Sequence, residues 1–417
     1  MLKKRITLLI AIVLVVGLVF AACGNSGSGG GAAAPPSGGS QAAAPGGSSP
    51  AAPPAAGGDT IKIGVNYELT GAVASYGQDS TDGIKMAVDE INKAGGVLGK
   101  QIALQVEDNK SDPAESTSIA EKLLSQDGIS ASLGPATSGN FRAVIPIAQN
   151  YGVPVLSSSA TADDDITVDK SGNVREFVFR TCFTDSFQGK VMAQFAATEL
   201  KAKTAIIYGD TASDYAKGLA TNFKSNFTAG GGTIVTEQGY VAGDKDFNGV
   251  LTKIKGQKFD VLFVPGYYQE AGLIIKQARE LGITQPILGA DGFDSPELAN
   301  IAGAQNVNEV YFSNHYSSLD QDPKVQQFIK DFQTANGGKS PSAFHAMGYD
   351  LGRYVADTMT SANSADPKAL AAALAKTQNW SGVTGTFSVG PDHNVIKSAV
   401  VIKMTNGEQA SATRVGF

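Results

Sequence analysis

A few short polar segments hold the residues that could bind or react with a small molecule. The first is Gly134-Pro135-Ala136-Thr137-Ser138-Gly139-Asn140, which leads into a helical run from Phe141 to Gln149. Small residues at a helix start let free backbone N–H groups approach an anion, and the Thr137 and Ser138 hydroxyls add donors, so a carboxylate fits there. Ordinary helix capping uses the same residues and is the competing reading. A second polar row, Ser157-Ser158-Ser159-Ala160-Thr161, follows the next apolar run. Further on, Tyr267 ends the run from Asp260 to Gly266, and Asp291 ends the run from Pro286 to Ala290. A carboxylate at Asp291 can hold an ammonium group, although a lone Asp after a strand is also a common turn residue. Donors for an anion on one side and an acid with aromatics on the other suit a zwitterion, because each buried charge then meets its opposite.

The usual catalytic constellations are missing. There is no G-x-S-x-G elbow, no G-x-x-x-x-G-K-[ST] loop and no G-x-G-x-x-G after the first strand, so no nucleophile and base can be nominated for an enzyme. His315, His345 and His393 are scattered, with no spacing for zinc, and are expected to be structural or at the surface. Asp163, Asp164, Asp165 and Asp169 lack the glycine of a calcium loop and read as a solvated turn. No cofactor or metal is expected. A net charge of -6 and a pI near 5.2 exclude a nucleic-acid surface, which needs clustered Lys and Arg.

The elements that must position these residues alternate. β-Branched runs at 61 to 67, 102 to 108, 129 to 134, 154 to 158, 177 to 181, 204 to 208, 233 to 237, 260 to 265, 286 to 290 and 310 to 315 are separated by helical patterns. Among these patterns are the stripe Ile84, Ala87, Val88, Ile91 and the stripe Val191, Phe195, Ala196, Leu200. Alternation of this kind predicts an α/β fold with parallel sheets, whose ligands sit outside the carboxyl ends of the strands. Gly95-Gly96 and Gly282 stand where helices should stop. Two helical stretches, Lys324 to Ala335 and Ala346 to Ala362, and a β-like tail at Gly385 to Val389 and Ala399 to Met404 complete the pattern.

The ends carry separate information. Met1 to Ala22 places Lys3, Lys4 and Arg5 before an apolar run from Ile6 to Phe20 and a small-residue site before Cys23, as a secretory signal does. Ala21-Ala22-Cys23 resembles a bacterial lipobox, with Phe20 where Leu is usual, and predicts lipidation of Cys23 and membrane anchoring; an uncleaved helical anchor is the alternative. Residues 23 to 58 are almost wholly Gly, Ala, Pro and Ser, without charge, and predict a flexible linker of about 35 residues spanning roughly 30 to 35 Å. Cys182 is the only other cysteine, so no disulfide is expected once Cys23 carries lipid. The remaining body, 59 to 417, is long enough for two domains.

The body from about Ile61 to Lys403 resembles the type I periplasmic solute-binding proteins of the branched-chain amino acid (Leu/Ile/Val-binding) family of ABC importers. The resemblance is carried by Ile61-Lys62-Ile63-Gly64, Leu69-Thr70-Gly71, Tyr76-Gly77, Asp89-Glu90-Ile91-Asn92 with Gly95-Gly96-Val97 and Gly99, Asp108 with Asp112-Pro113, and Gly134 with Ser138. It continues through Arg180-Thr181, Asp185, Gln188-Gly189, and Tyr267 before Gln277-Ala278-Arg279. It implies two Rossmann-like lobes joined by a three-stranded hinge around a cleft: lobe one from 59 to 181 plus about 317 to 388, and lobe two from 182 to 316 plus about 389 to 417. It further implies that Ser138 and Thr161 hold a ligand carboxylate, that Ser159, Thr161 and Asp291 hold its ammonium, and that Tyr76, Tyr215 and Tyr267 close over it, with Phe344 as a further apolar wall. Asp291 stands where well-known members carry Glu, one methylene longer, and Ser111 and Thr137 stand where some members have a disulfide. The implied protein is a monomeric, non-enzymatic, extracytoplasmic binding lipoprotein that hands a free amino acid to ABC permease subunits. A sensor, or an importer component for an amide, urea-like or carboxylate ligand, is the alternative on the same fold.

Overall fold

The structure, a computed structural model, describes residues 60–126 and 128–415. The expected signal, lipidated Cys23 and linker lie outside the described residues. Among the described residues no helix is long and apolar enough to cross a membrane.

The chain opens with β1 (Ile61–Tyr67), α1 (Ala74–Lys93), β2 (Ile102–Asp108), α2 (Pro113–Leu124), β3 (Ile129–Leu133), α3 (Ser138–Tyr151), β4 (Val155–Ser157) and β5 (Val178–Arg180). The five strands form one parallel sheet in the order β2-β1-β3-β4-β5. The central β3 is buried at every residue, as a strand covered on both faces must be. On α1 the expected stripe is inside: Ile84 and Ala87 are fully buried and Val88 nearly so.

A second series follows: α4 (Asp185–Thr198), β6 (Thr204–Asp210), α5 (Asp214–Ala229), β7 (Thr233–Tyr240), α6 (Asn248–Lys255) and β8 (Val261–Phe263). It continues with α7 (Tyr268–Glu280), β9 (Ile287–Gly289), α8 (Pro296–Ala302) and β10 (Val310–Asn314). These strands pair in parallel, and β14 (Ala399–Thr405) and β15 (Glu408–Val415) extend the same sheet antiparallel beyond β10.

Between β10 and β14 the chain adds α9 (Pro323–Ala335), α10 (Ala343–Ala362), α11 (Pro367–Leu374), β11 (Trp380–Gly382), β12 (Gly385–Val389) and β13 (Val395–Ile396), the last three forming a small antiparallel sheet. Helix α10 belongs to the first lobe because it lies against α1 at glycine contacts: a Cβ on Gly83 would strike the His345 carbonyl, and one on Gly348 the Ser80 carbonyl. Arg180 holds Asn394, and Phe179 stacks on His393, so residues 393 and 394 also sit with the first lobe. The chain therefore reaches the second sheet only at Ala399, later than the 389 that the resemblance implies.

The late region holds three helices, one more than the apolar periodicity predicts. The extra one, α11, starts on Asp366-Pro367, with the Asp366 carboxylate accepting the Lys368 and Ala369 amides. Asp112-Pro113, Ser295-Pro296 and Asp322-Pro323 start α2, α8 and α9 in the same way. Each such cap is worth about 1 kcal/mol, and Pro at the first helical position loses no hydrogen bond.

Candidate ligand-binding site

The carboxyl ends of β1, β3 and β4 in one lobe face those of β6, β8 and β9 in the other. Between them lies a small cavity lined by Tyr76, Ala136, Thr137, Ser138, Ser159, Tyr215, Tyr267, Asp291, Gly292 and Phe344. Seven of the eight expected site residues meet there. The eighth, Thr161, is fully buried behind the wall and does not line it.

On the first-lobe side the expected anion donors are partly committed within the protein. Glu68, fully buried after β1, accepts the Ala136 amide at 2.9 Å, the Thr137 amide at 3.1 Å, the Thr137 hydroxyl at 3.0 Å and the Asn140 amide group at 2.8 Å. The expectation that Thr137 and the amides before α3 stand free is corrected: an internal carboxylate has taken them. Ser138 is different. Its Oγ accepts the Ala162 amide at 3.1 Å, which leaves its own hydrogen to donate. The first-turn amides of α3 have no carbonyl within the helix to bond. The Ser159 hydroxyl donates to the Ala136 carbonyl at 2.9 Å and ties the two polar segments together.

On the second-lobe side Asp291 opens a single 3-10 turn after β9 and is buried. Its Oδ1 accepts the Tyr215 hydroxyl at 2.7 Å and the Gln188 amide group at 3.1 Å; its Oδ2 faces His315 Nε2 at 3.3 Å. Of the two roles expected for the histidines, structural or at the surface, His315 has the structural one, buried beside the acid. Burial pushes its imidazole down to about 4, so it is neutral at neutral pH, with the proton on the nitrogen that faces the carboxylate. Its ring stacks on Phe183 at 3.7 Å. Gln188 also accepts the Asp291 amide and the Ser313 hydroxyl, so its orientation is fixed by three partners. Gly292 must be glycine, because a Cβ would press on the Tyr215 hydroxyl that its own amide bonds at 2.9 Å.

Aromatic rings close the space. Tyr76 and Phe344 stack at 4.3 Å, Tyr215 and Tyr267 stack at 5.1 Å, and Tyr76 meets Tyr267 edge-on at 5.8 Å. Burial pushes all three phenols well above their ordinary range, so they act as neutral hydroxyls. The Tyr76 hydroxyl reaches across to donate to the Gly292 carbonyl at 2.5 Å, and Ser75 meets Ser295 at 2.8 Å. Asp294, from the second lobe, accepts the Ala343 amide at the start of α10 in the first, at 2.8 Å. At the rim Arg142 pairs with Asp214. The lobes are therefore closed, and the cavity left between them, about 10 Å3, is near the size of one water. A ligand reaches it only when the lobes part.

The other candidates resolve without chemistry. Among the described residues no His, Cys, Asp and Glu cluster could hold a metal ion. Asp163 accepts the Ser186 amide, Asp165 pairs with Arg175, and Asp169 closes a turn on Ser171 and Asn173. His345 sits in the capping box of α10. Cys182 is free and buried, and burial pushes its thiol up to about 12. Sequence reasoning missed Glu68 and the role of His315, and left Gln188 without one.

With this geometry in hand, comparison with known proteins places the chain. The family model described as periplasmic binding protein matches residues 60–409. The leucine-, isoleucine-, valine-, threonine- and alanine-binding protein of Pseudomonas aeruginosa is 32% identical over 317 residues, covering 76% of this chain and 82% of that one. The crystal structure of the branched-chain amino acid transporter substrate-binding protein LivJ from Streptococcus pneumoniae in complex with isoleucine is 42% identical, with a TM-score of 0.80 over 86% of this chain and 99% of that one. The leucine-binding protein LivK of Thermotoga maritima is 31% identical, with a TM-score of 0.77 over 85% of this chain and 99% of that one.

Proposed function

We propose that this chain, which belongs to the periplasmic binding protein family, is the extracytoplasmic substrate-binding component of an ABC importer and carries a free amino acid, branched-chain or otherwise small and apolar. The observation that carries the reading is the meeting of Ser138, Ser159 and Asp291, from opposite lobes, around one buried aromatic-walled cavity. The Ser138 hydroxyl and the α3 amides take the carboxylate, joined by the Thr161 amide. The ammonium sits among the Ser159 carbonyl, the Thr161 hydroxyl and Asp291, and Tyr76, Tyr215, Tyr267 and Phe344 enclose the side chain. No bond is made or broken. The ligand favours the closed form because only that form offers both halves of the site, and the closed form is what permease subunits would read. Lipidation at Cys23 would tether the protein to the membrane within reach of the permease.

A second reading keeps the fold and changes the ligand. Asp291 already accepts bonds from Tyr215, Gln188 and His315, so a carboxylate or amide lacking an ammonium meets an acid with its own partners. Thermal melting of the chain with amino acids, amides, urea and carboxylic acids separates the two. A ligand at 100 times its Kd adds about 2.7 kcal/mol. At least one α-amino acid is expected to raise Tm; stabilisation only by compounds without an α-ammonium would sink the proposal.

A further inference from the structure

Behind the wall of the cavity lies a second buried acid. Asp185, the first residue of α4, is fully buried. The Thr161 hydroxyl is equally buried, and the Asp185 carboxyl is the side-chain group it stands against. The two segments are pinned together by the Asp185 amide, which donates to the Thr161 carbonyl at 2.9 Å. The Gln188 amide group links the two acids, at 3.1 Å from Asp291 Oδ1 and 3.4 Å from Asp185 Oδ1. Two buried carboxyls, with a hydroxyl set against one of them, thus converge on the place where the ammonium is proposed to sit.

The surroundings offer Asp185 little that would keep it charged. Arg180, from β5, gives its N–H groups to the Ala160 and Ala162 carbonyls and to Asn394. Lys397, between β13 and β14, donates to the Thr181 carbonyl and the Thr384 hydroxyl. His315 is neutral, and Asp163 and Asp291 add negative charge from the loop before β5 and from the turn after β9. Burial first, then those two acids, hold the Asp185 carboxyl well above the usual range, against the Thr161 hydroxyl and Arg180, which pull the other way.

We propose that Asp185 is a second acid of the ammonium subsite: it holds a proton while no cation is bound and releases it when an α-ammonium settles against Thr161 and Asp291. The Asp185 O–H bond breaks, the proton passes to solvent, and the new carboxylate balances the ligand's positive charge. The inference rests on the amino-acid reading of the site. It gives that reading a charge-selection device, since a ligand without an ammonium leaves the proton in place.

The test is calorimetric titration of the full chain with L-isoleucine, L-leucine and L-alanine at pH 7, in two buffers of different ionisation enthalpy. The dependence of the apparent heat on the buffer counts protons. Close to one proton released per ligand bound is expected. In Asp185→Asn the count falls to near zero and affinity drops about tenfold. Because a proton is released, affinity in the unmutated protein rises with pH between 6 and 8, by up to tenfold per unit, which tests the idea even if the variant fails to fold. Amino-acid binding with no proton exchange and no pH dependence would overturn this inference alone. Failure of every α-amino acid to bind would instead overturn the functional reading beneath it.

Discussion

The two halves of the site are built to opposite plans. In the first lobe the acceptor of the buried donors is internal: Glu68 occupies the amides before α3, and of the hydroxyls that line the cavity from this lobe only Ser138 keeps a hydrogen to give. In the second lobe the acid itself faces the cavity, and internal donors from α4, α5 and the end of β10 aim it. The first half is thus a rigid platform that offers a single side-chain donor, while the second is a charge whose direction depends on three distant segments. A ligand's carboxylate should be held mostly by backbone and Ser138. Its ammonium should depend on one residue and its supports.

That asymmetry predicts the largest effect at Asp291. Asp291→Ala removes the charge and orphans Tyr215, Gln188 and His315, a kind of truncation that costs about 2 to 5 kcal/mol in buried charge pairs. Amino-acid affinity should fall at least a hundredfold, while a carboxylate lacking the ammonium, 4-methylpentanoate, should be unaffected or bind better. Ser138→Ala should weaken both ligands, by about tenfold, as the loss of one charge-assisted hydrogen bond does. Titration of both variants with both ligands checks the contrast. Equal losses for the two ligands in Asp291→Ala would remove the distinction between the halves.

The same asymmetry explains what the sequence revealed. Ser138, Ser159 and Asp291 were legible because each follows a strand, and strand ends are visible as apolar runs that stop at polar residues. Glu68 was not, since its partners lie 68 to 72 residues away and nothing near it announces them. Gln188 meets Asp291 across 103 residues, and His315 meets it across 24. Parallel strands such as β1 and β3 show as β-branched runs. By contrast β15 alternates Glu408, Ser411, Thr413 and Arg414 on an exposed edge and shows no apolar pattern. Helix α11 is a different failure: Asp366-Pro367 carried the same start signal as Asp112-Pro113, but the alanine-rich turns after it have no distinct apolar stripe.

A smaller effect tests whether His315 belongs to the acid's support. Its folded value, about 4, lies below the ordinary 6.5, so as pH falls the unfolded chain takes up the proton first. The stability is present above pH 6.5 and is lost between 6.5 and about 4, on the order of 2 kcal/mol by pH 5. His315→Gln keeps a donor toward Asp291 and cannot take up the proton. The fall in Tm between pH 6.5 and 5 should therefore be less in the variant than in the unmutated protein. His345, also pushed down to about 4, and Asp79, pushed up to about 7 and working in the opposite direction, are common to both proteins and cancel in the difference. Identical falls would mean that His315 is not held neutral by its burial.

The smallest effect lies at the rim, where neither plan applies. Arg142 of α3 pairs with Asp214 at the start of α5, and Arg142 also donates to the Asp164 carbonyl. Both side chains are partly exposed, so water and salt screen the pair, and exposed pairs of this kind contribute about 0.2 to 1 kcal/mol. The pair joins opposite lobes, so whatever it contributes goes to the closed form alone. Arg142→Ala should therefore weaken amino-acid binding by about two- to fivefold at low salt without changing which ligands bind. Because screening lengths shrink to about 3 Å at 1 M salt, the unmutated protein should lose this advantage there and approach the variant. A variant that binds as tightly at low salt, or a difference that persists undiminished at 1 M, would show that closure draws nothing from the rim and rests wholly on the buried contacts of Tyr76, Ser75 and Asp294.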